Sequence, residues 1–241
     1  MADVDALTTL AQQILDGEWF RVLALLGTVA FALSGVVLAH AGGHSLVGAL
    51  TLAALPAAGG GILRDLILQR QPLGIVRDPA ILLAIFATVL LGKAYFRLAA
   101  LTGAQRVPNS LHSGPEGRTL VIELCDALGL ASFIVIGVVA ALDASAYPLW
   151  LWGPVSATIT ASFGRLVRDL ACRHQEIAKG RAELYPEIAL IWGLALSLFL
   201  AWEAGRLRLE EIQLAVVVTI LGAFLTRAMA LKFGLKAWSY A

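Results

Sequence analysis

The chain has 241 residues, 59% of them apolar and 15% charged, with a formal net charge of +1. A soluble domain carries about 25% charged residues, so this chain has too little charge to cover a solvated surface, and its mean hydropathy of +0.81 agrees. The near-neutral balance also argues against a nucleic-acid binder, which normally shows a clustered basic face.

The segment from Met1 to Glu18 carries Asp3, Asp5, Asp16 and Glu18. It has neither the basic start nor the apolar run of a secretory signal. Leu7, Leu10, Ile14 and Leu15 recur at helical spacing, which predicts a short amphipathic helix at the membrane surface.

A spanning helix needs about 20 mostly apolar residues. Seven stretches are expected to span: Phe20–Ala39, Leu46–Leu68, Pro79–Leu98, Leu120–Leu142, Leu149–Cys172, Leu184–Trp202 and Ile212–Leu231. They are continuous apolar runs, not the short alternating segments of a β-barrel, so the expected fold is an all-α integral membrane protein in one domain. The connections are short except Thr102–Arg118, which is rich in turn formers. Short connections make successive helices antiparallel.

Lys and Arg outside the spans set orientation. One side carries Arg21, Arg70, Arg77, Arg206 and Arg208; the other carries Arg97, Arg106, Arg118, Arg173, Lys179, Arg181, Lys232 and Lys236. The second, richer side is expected to be cytoplasmic, with the N-terminus outside, the C-terminus inside and the chain in the cell inner membrane.

The first and fourth spans share a pattern. Gly27, Phe31, Gly35, Val36 and Val37 match Gly129, Phe133, Gly137, Val138 and Val139 at an offset of 102. In the second and fifth spans, Gly60, Arg64, Asp65 and Leu66 match Gly164, Arg168, Asp169 and Leu170 at an offset of 104. Two matches in the same order imply an internal repeat over 20–98 and 120–202. Each copy holds three helices, so the second must enter the membrane from the opposite side, as in many transport proteins. The seventh span, 212–231, stands outside the repeat.

Pro56, Gly59, Gly60 and Gly61 fall in the middle of the second span. Proline removes a helical hydrogen bond and glycine weakens a helix. A kink or break near the bilayer midplane is expected there, beside protein or a water-filled path because lipid cannot satisfy freed backbone groups. Close packing through small residues is the other reading. Gly153, Pro154 and Gly164 predict a weaker or displaced kink in the fifth span.

Charges at membrane depth face the bundle interior or water. Arg64 and Asp65 are adjacent, about 100° apart around a helix, and are expected to pair with other helices instead of each other; the same holds for Arg168 and Asp169. Depth suggests Asp126 as a partner of Arg168, and Arg21 as a neighbour of Asp65. Such pairs can form the mouths of a pore or fix helix register. Arg227 in the seventh span needs an acid or a lipid headgroup. Lys93 and Arg97 are expected to be snorkelling anchors. Trp150, Trp152, Trp192, Trp202 and Trp238 fall mostly near span ends, where aromatic belts form.

Catalysis finds little support. His40 and His44 flank Gly42-Gly43, too few ligands for a metal site, and His112 and His174 stand alone in loops. Cys125 and Cys172 are read as small buried residues. Ser34 has no histidine or lysine base at a matching depth. Neither an enzyme nor a resident cofactor is expected. A secondary transporter for a small solute such as an amino acid shares the inverted repeat and broken helices.

The stretches Phe31–Gly35, Gly59-Gly60-Gly61-Ile62-Leu63-Arg64-Asp65, Asp126–Ala131 and Arg168-Asp169 resemble the bacterial trimeric intracellular cation (TRIC) channels. That resemblance implies a homotrimer in membrane lipid, with an hourglass pore in each protomer between kinked second and fifth helices, conducting monovalent cations, mainly potassium. Gly59, Gly60 and Gly61 would make one kink and Gly164 its counterpart; Arg64, Asp65, Arg168 and Asp169 would flank the pore. Phe163 and Arg165 depart from the glycine-rich pattern of the family's fifth helix. Ser34, Thr51, Ser156, Thr158 and Thr160 are expected to offer polar groups along the path.

Overall fold

A computed structural model describes residues 4–102, 120–172, 184–202 and 208–235. The 102–118 loop beyond Thr102, the cations Arg106, Arg118, Arg173, Lys179, Arg181, Arg206 and Lys236, and His112, His174 and Trp238 lie outside the described residues.

All regular structure among the described residues is helical. The amphipathic helix α1 (Val4–Leu15) buries Leu10, Ala11 and Ile14 in the core. Next come α2 (Glu18–Ala41), α3 (Leu46–Ala54), a π-helical turn at Leu55–Gly59, and α4 (Gly60–Ile67). Helices α5 (Gly74–Arg77), α6 (Pro79–Leu101), α7 (Leu120–Asp143), α8 (Leu149–Ala171), α9 (Pro186–Trp202) and α10 (Leu209–Phe233) follow among the described residues. Local chemistry sets several ends. Ser45 caps α3 by accepting from Gly48 N–H, and Asp78 caps α6 through Ala80 N–H with Pro79 in the first turn. Gly234 closes α10 in the left-handed conformation that suits glycine.

Among the described residues, five helices are long and apolar enough to cross a membrane: α2, the continuous α3–π–α4 segment, α6, α7 and α10. Of the two other expected spans, α8 has 23 residues but contains Arg165, Arg168 and Asp169, and α9 has 17. Both pack in the same bundle, α8 against α7, α9 and the π turn. Contacts between helix ends show the alternation. Arg21 meets Asp78, and Arg70 meets Asp143, at the face where α2 begins (the near face). His40 stacks on Phe96, and Arg168 meets Asp126, at the face where α2 ends (the far face).

Helix α7 is the centre of the bundle: 78% of its apolar window is buried, against 17% for α6. Peripheral faces carry Leu83, Leu91 and Leu221, all more than half exposed. Water would penalise such a surface, whereas lipid tails solvate it.

Small residues bring the helices together. Phe31 packs edge-to-face on Phe133, with centroids 4.9 Å apart. A methyl group at Gly129 would overlap the Phe31 ring, and one at Gly27 the Phe133 ring. Similarly, a methyl at Gly35 would strike the backbone of Leu52 and Ala53, and one at Gly137 that of Ser156 and Ala157. Positions matched by the two sequence offsets thus make matching contacts.

Candidate functional site

The second span does not break. Its residues stay in right-handed helical geometry, with φ/ψ of −55/−56° at Leu55, −59/−41° at Gly59 and −65/−41° at Gly60. The irregularity is the π turn around Pro56. Pro56 cannot donate to the preceding turn and its ring crowds that turn's carbonyl; a wider turn absorbs both effects. Gly59, Gly60 and Gly61 therefore continue the helix in this conformation. Pro154 likewise lies within an uninterrupted α8.

Two of these glycines serve close approach. A methyl at Gly60 would overlap Thr160 O and lie 2.8 Å from Ile159 O. One at Gly164 would overlap Leu55 O and lie 2.9 Å from Pro56 Cα, and one at Gly59 would sit 3.4 Å from Gly164 Cα. The second span and α8 therefore cross backbone to backbone. Gly153 makes room on α8 for the Ser197 side chain of α9.

A charged cluster sits at each end of this crossing. At the near face, Arg64 donates through Nε and Nη2 to Asp65 Oδ1 at 2.9 and 2.8 Å. Arg70 donates to Asp65 Oδ1 at 2.8 Å and to Asp143 Oδ2 at 2.5 Å, and Gly74 N–H donates to Asp65 Oδ2 at 2.7 Å. Burial disfavours the Arg70 charge, but the hydrogen bond to Asp143 and the pairing with Asp65 outweigh it and raise its pKa above the ordinary value. At the far face, Arg168 donates to Asp126 at 3.2 and 3.0 Å, to Asp169 at 3.1 Å and to Ser34 Oγ at 2.6 Å. Arg165 Nε lies 3.4 Å from Asp126 and 3.5 Å from Asp169, and its guanidinium sits 4.2 Å over the Tyr185 ring.

The expectation that neighbouring Arg and Asp do not pair is corrected at both ends. The rule describes side chains leaving the helix radially. A buried arginine is long enough to curl around the helix onto the next residue, and among the described residues no nearer carboxylate pairs with Arg64. Asp126 does partner Arg168. Arg21 does not reach Asp65; it lies 3.5 Å from Asp78 in an exposed pair.

Each set of four is charge-balanced, with Arg64 and Arg70 against Asp65 and Asp143, and Arg165 and Arg168 against Asp126 and Asp169. The ends differ in filling. At the near face a cavity of about 60 Å³ lies between Ala24, Thr28, Gly61, Arg64, Asp65, Ile136 and Thr160. The offsets match Ala24 with Asp126, Gly61 with Arg165 and Ile136 with Ser34. Small or apolar residues line the near cavity where the far end carries an ion pair and its hydroxyl partner. The sequence signal for this was visible: Arg165 stands where a glycine is expected.

The polar residues expected along the path scatter. Thr160 lies in the near cavity, 3.5 Å from Arg64 Nη1, and Ser34 binds Arg168. Ser156 donates to Gly137 O, tying α8 to α7. Thr51 and Thr158 bond within their own helices, to Val47 O and Pro154 O, and Thr51 is exposed. Arg227 donates to Leu184 O at 3.0 Å and lies 5.1 Å over Tyr185, contacts that sequence reasoning missed.

A bundle of antiparallel helices with backbone contact at its centre and an ionic cluster at each end defines a membrane protein of the TRIC-channel fold. The TRIC orthologue of Rhodobacter sphaeroides has 27% sequence identity and a TM-score of 0.68, covering 91% of this chain and all of that one. A second TRIC cation channel matches in fold at 22% identity, with a TM-score of 0.71 over 92% of this chain and 97% of that chain. The expected resemblance is borne out. By sequence, the chain belongs to the family described as Glycine transporter, whose model matches residues 21–96 and 123–201. Its relatives include the UPF0126 inner membrane protein YadS of Escherichia coli, 30% identical over 220 residues, which span 91% of this chain and 95% of YadS. A UPF0126 membrane protein of Vibrio cholerae is 28% identical over 191 residues, covering 76% of this chain and 70% of that protein.

Proposed function

We propose that the chain is a seven-span inner-membrane channel for small monovalent cations, potassium foremost, assembled as a homotrimer with one path per protomer. The path follows the crossing of the second span and α8, between the near and far clusters. The observation that carries this reading is the crossing itself: a π-turned helix laid on a glycine of its neighbour, flanked by ionic clusters, in a fold shared with cation channels along most of the chain. We place 20–98 and 120–202 as inverted three-helix units, with the far face cytoplasmic.

In the conformation described, the two backbones touch and the carboxylates of both clusters are paired, and we read this arrangement as a closed state. Opening requires α8 to part from the π turn. Separation would uncover carbonyls of Leu55, Ile159 and Thr160, which could replace part of a cation's hydration shell. It would also loosen arginines from Asp65 and Asp169, leaving negative charge to concentrate cations at the mouths. No covalent chemistry and no resident cofactor enter this mechanism.

A second reading, carriage of glycine or a similar small zwitterion, is favoured by two observations. The family's model is described by that activity, and each cluster offers guanidinium and carboxylate together, matching both ends of a zwitterion. The test is purified protein in liposomes, assayed for potassium flux and for uptake of labelled glycine. Flux that does not saturate, with no glycine uptake, supports the channel. Saturable glycine uptake without a potassium leak replaces it with the carrier.

A further inference from the structure

A cavity separate from the crossing opens at the far face between α2, α3 and α6, with a volume of about 290 Å³. Its inner wall is apolar, formed by residues such as Val36, Ala49 and Val89. Its rim carries His40, His44, Lys93 and Arg97, all exposed. No acidic residue lies among its lining residues, and α2 after Glu18, α3 and α6 contain none. Among the described residues none of these four side chains makes an ion pair; His40 stacks on Phe96 at 3.8 Å, and His44 contacts Gly42 O.

Snorkelling explains a cation that reaches water beside lipid. It does not by itself explain why Lys93 and Arg97, one helical turn apart on α6, share the mouth of an apolar-walled cavity with His40 at the end of α2 and His44 in the turn that follows. The combination has an apolar wall for a hydrocarbon chain and a basic rim at the helix ends, with no carboxylate among the described residues that line it. We propose that this cavity binds one anionic glycerophospholipid, with an acyl chain against Val36, Ala49 and Val89 and its phosphate against Lys93 and Arg97. The inference does not depend on what the protein transports.

The test uses the full chain in nanodiscs of phosphatidylcholine mixed with phosphatidylglycerol, with retained lipid counted by native mass spectrometry. One phosphatidylglycerol per chain should be retained in preference to phosphatidylcholine. Replacing Lys93→Gln and Arg97→Gln should weaken retention about five-fold per charge removed, since each cation near an anionic headgroup is worth about 1 kcal/mol. Ala49→Phe, which fills the cavity and keeps every charge, should weaken it too, whereas Arg77→Gln at the near face should change nothing. Equal retention of both lipids, or unchanged retention in the double variant and in Ala49→Phe, overturns the proposal. Inorganic phosphate competing as well as phosphatidylglycerol overturns the lipid assignment, because the apolar wall would then contribute nothing.

Discussion

Arg165 and Asp126 face each other at 3.4 Å across the far cluster, and the residues at the matching places of the first half are Gly61 and Ala24. Two changes in different helices therefore turn a small cavity into an ion pair. A lone arginine there would bury an unpaired charge, and a lone aspartate would lack half of its neutralisation. Each change makes sense in the presence of the other.

If the far cluster is the tighter barrier, emptying it should ease passage. Arg165→Gly leaves Asp126 still bonded to Arg168, so the fold should survive. Potassium flux in liposomes is expected to rise several-fold. A folded variant whose flux is unchanged or lower would place the barrier elsewhere, at the backbone crossing.

The glycines of the second span should not be equivalent. Gly60→Ala drives a methyl into Thr160 O, so the helices must separate; overpacking of this kind costs about 1–3 kcal/mol. At Gly61 the nearest atom to an added methyl is the flexible end of Arg64, 3.7 Å away. Gly61→Ala is expected to be neutral or stabilising by about 0.5–1 kcal/mol, through helix propensity alone. Thermal unfolding in detergent separates the two, and equal destabilisation would mean that close approach is not what Gly60 provides.

These contrasts mark what the sequence made legible. Long apolar runs disclosed an all-helical membrane protein, because lipid leaves backbone groups few alternatives. The partnership of Arg168 with Asp126 followed from depth alone. Pairing of Arg64 with Asp65 did not, since the angular rule neglects how far a guanidinium can curl. Pro56 and the glycines announced an irregular helix, yet a π turn that keeps helical dihedrals cannot be told from a break by composition. Whether a glycine serves as hinge or contact point depends on what faces it, here Thr160 and Leu55, which is a tertiary fact.

Ion pairs at different depths should differ sharply in worth. Arg168 and Asp126 are almost fully buried, whereas the Arg21 side chain is 56% exposed in its pair with Asp78. Removing one member of a buried pair strands its partner in a low dielectric at a cost of about 3–5 kcal/mol. A solvated pair contributes about 0–1 kcal/mol. Asp126→Ala should therefore abolish or severely reduce folded protein, while Asp78→Asn, which can keep its capping role, should express and melt like the parent. The paired change Asp126→Ala with Arg165→Gly should recover part of the loss, because Arg168 retains Asp169 at 3.0 Å and no longer shares that carboxylate with a second arginine. Size-exclusion profiles and melting temperatures of the three variants test this ordering. A double variant no better than Asp126→Ala alone would show that Asp126 stabilises the fold mainly through Arg168.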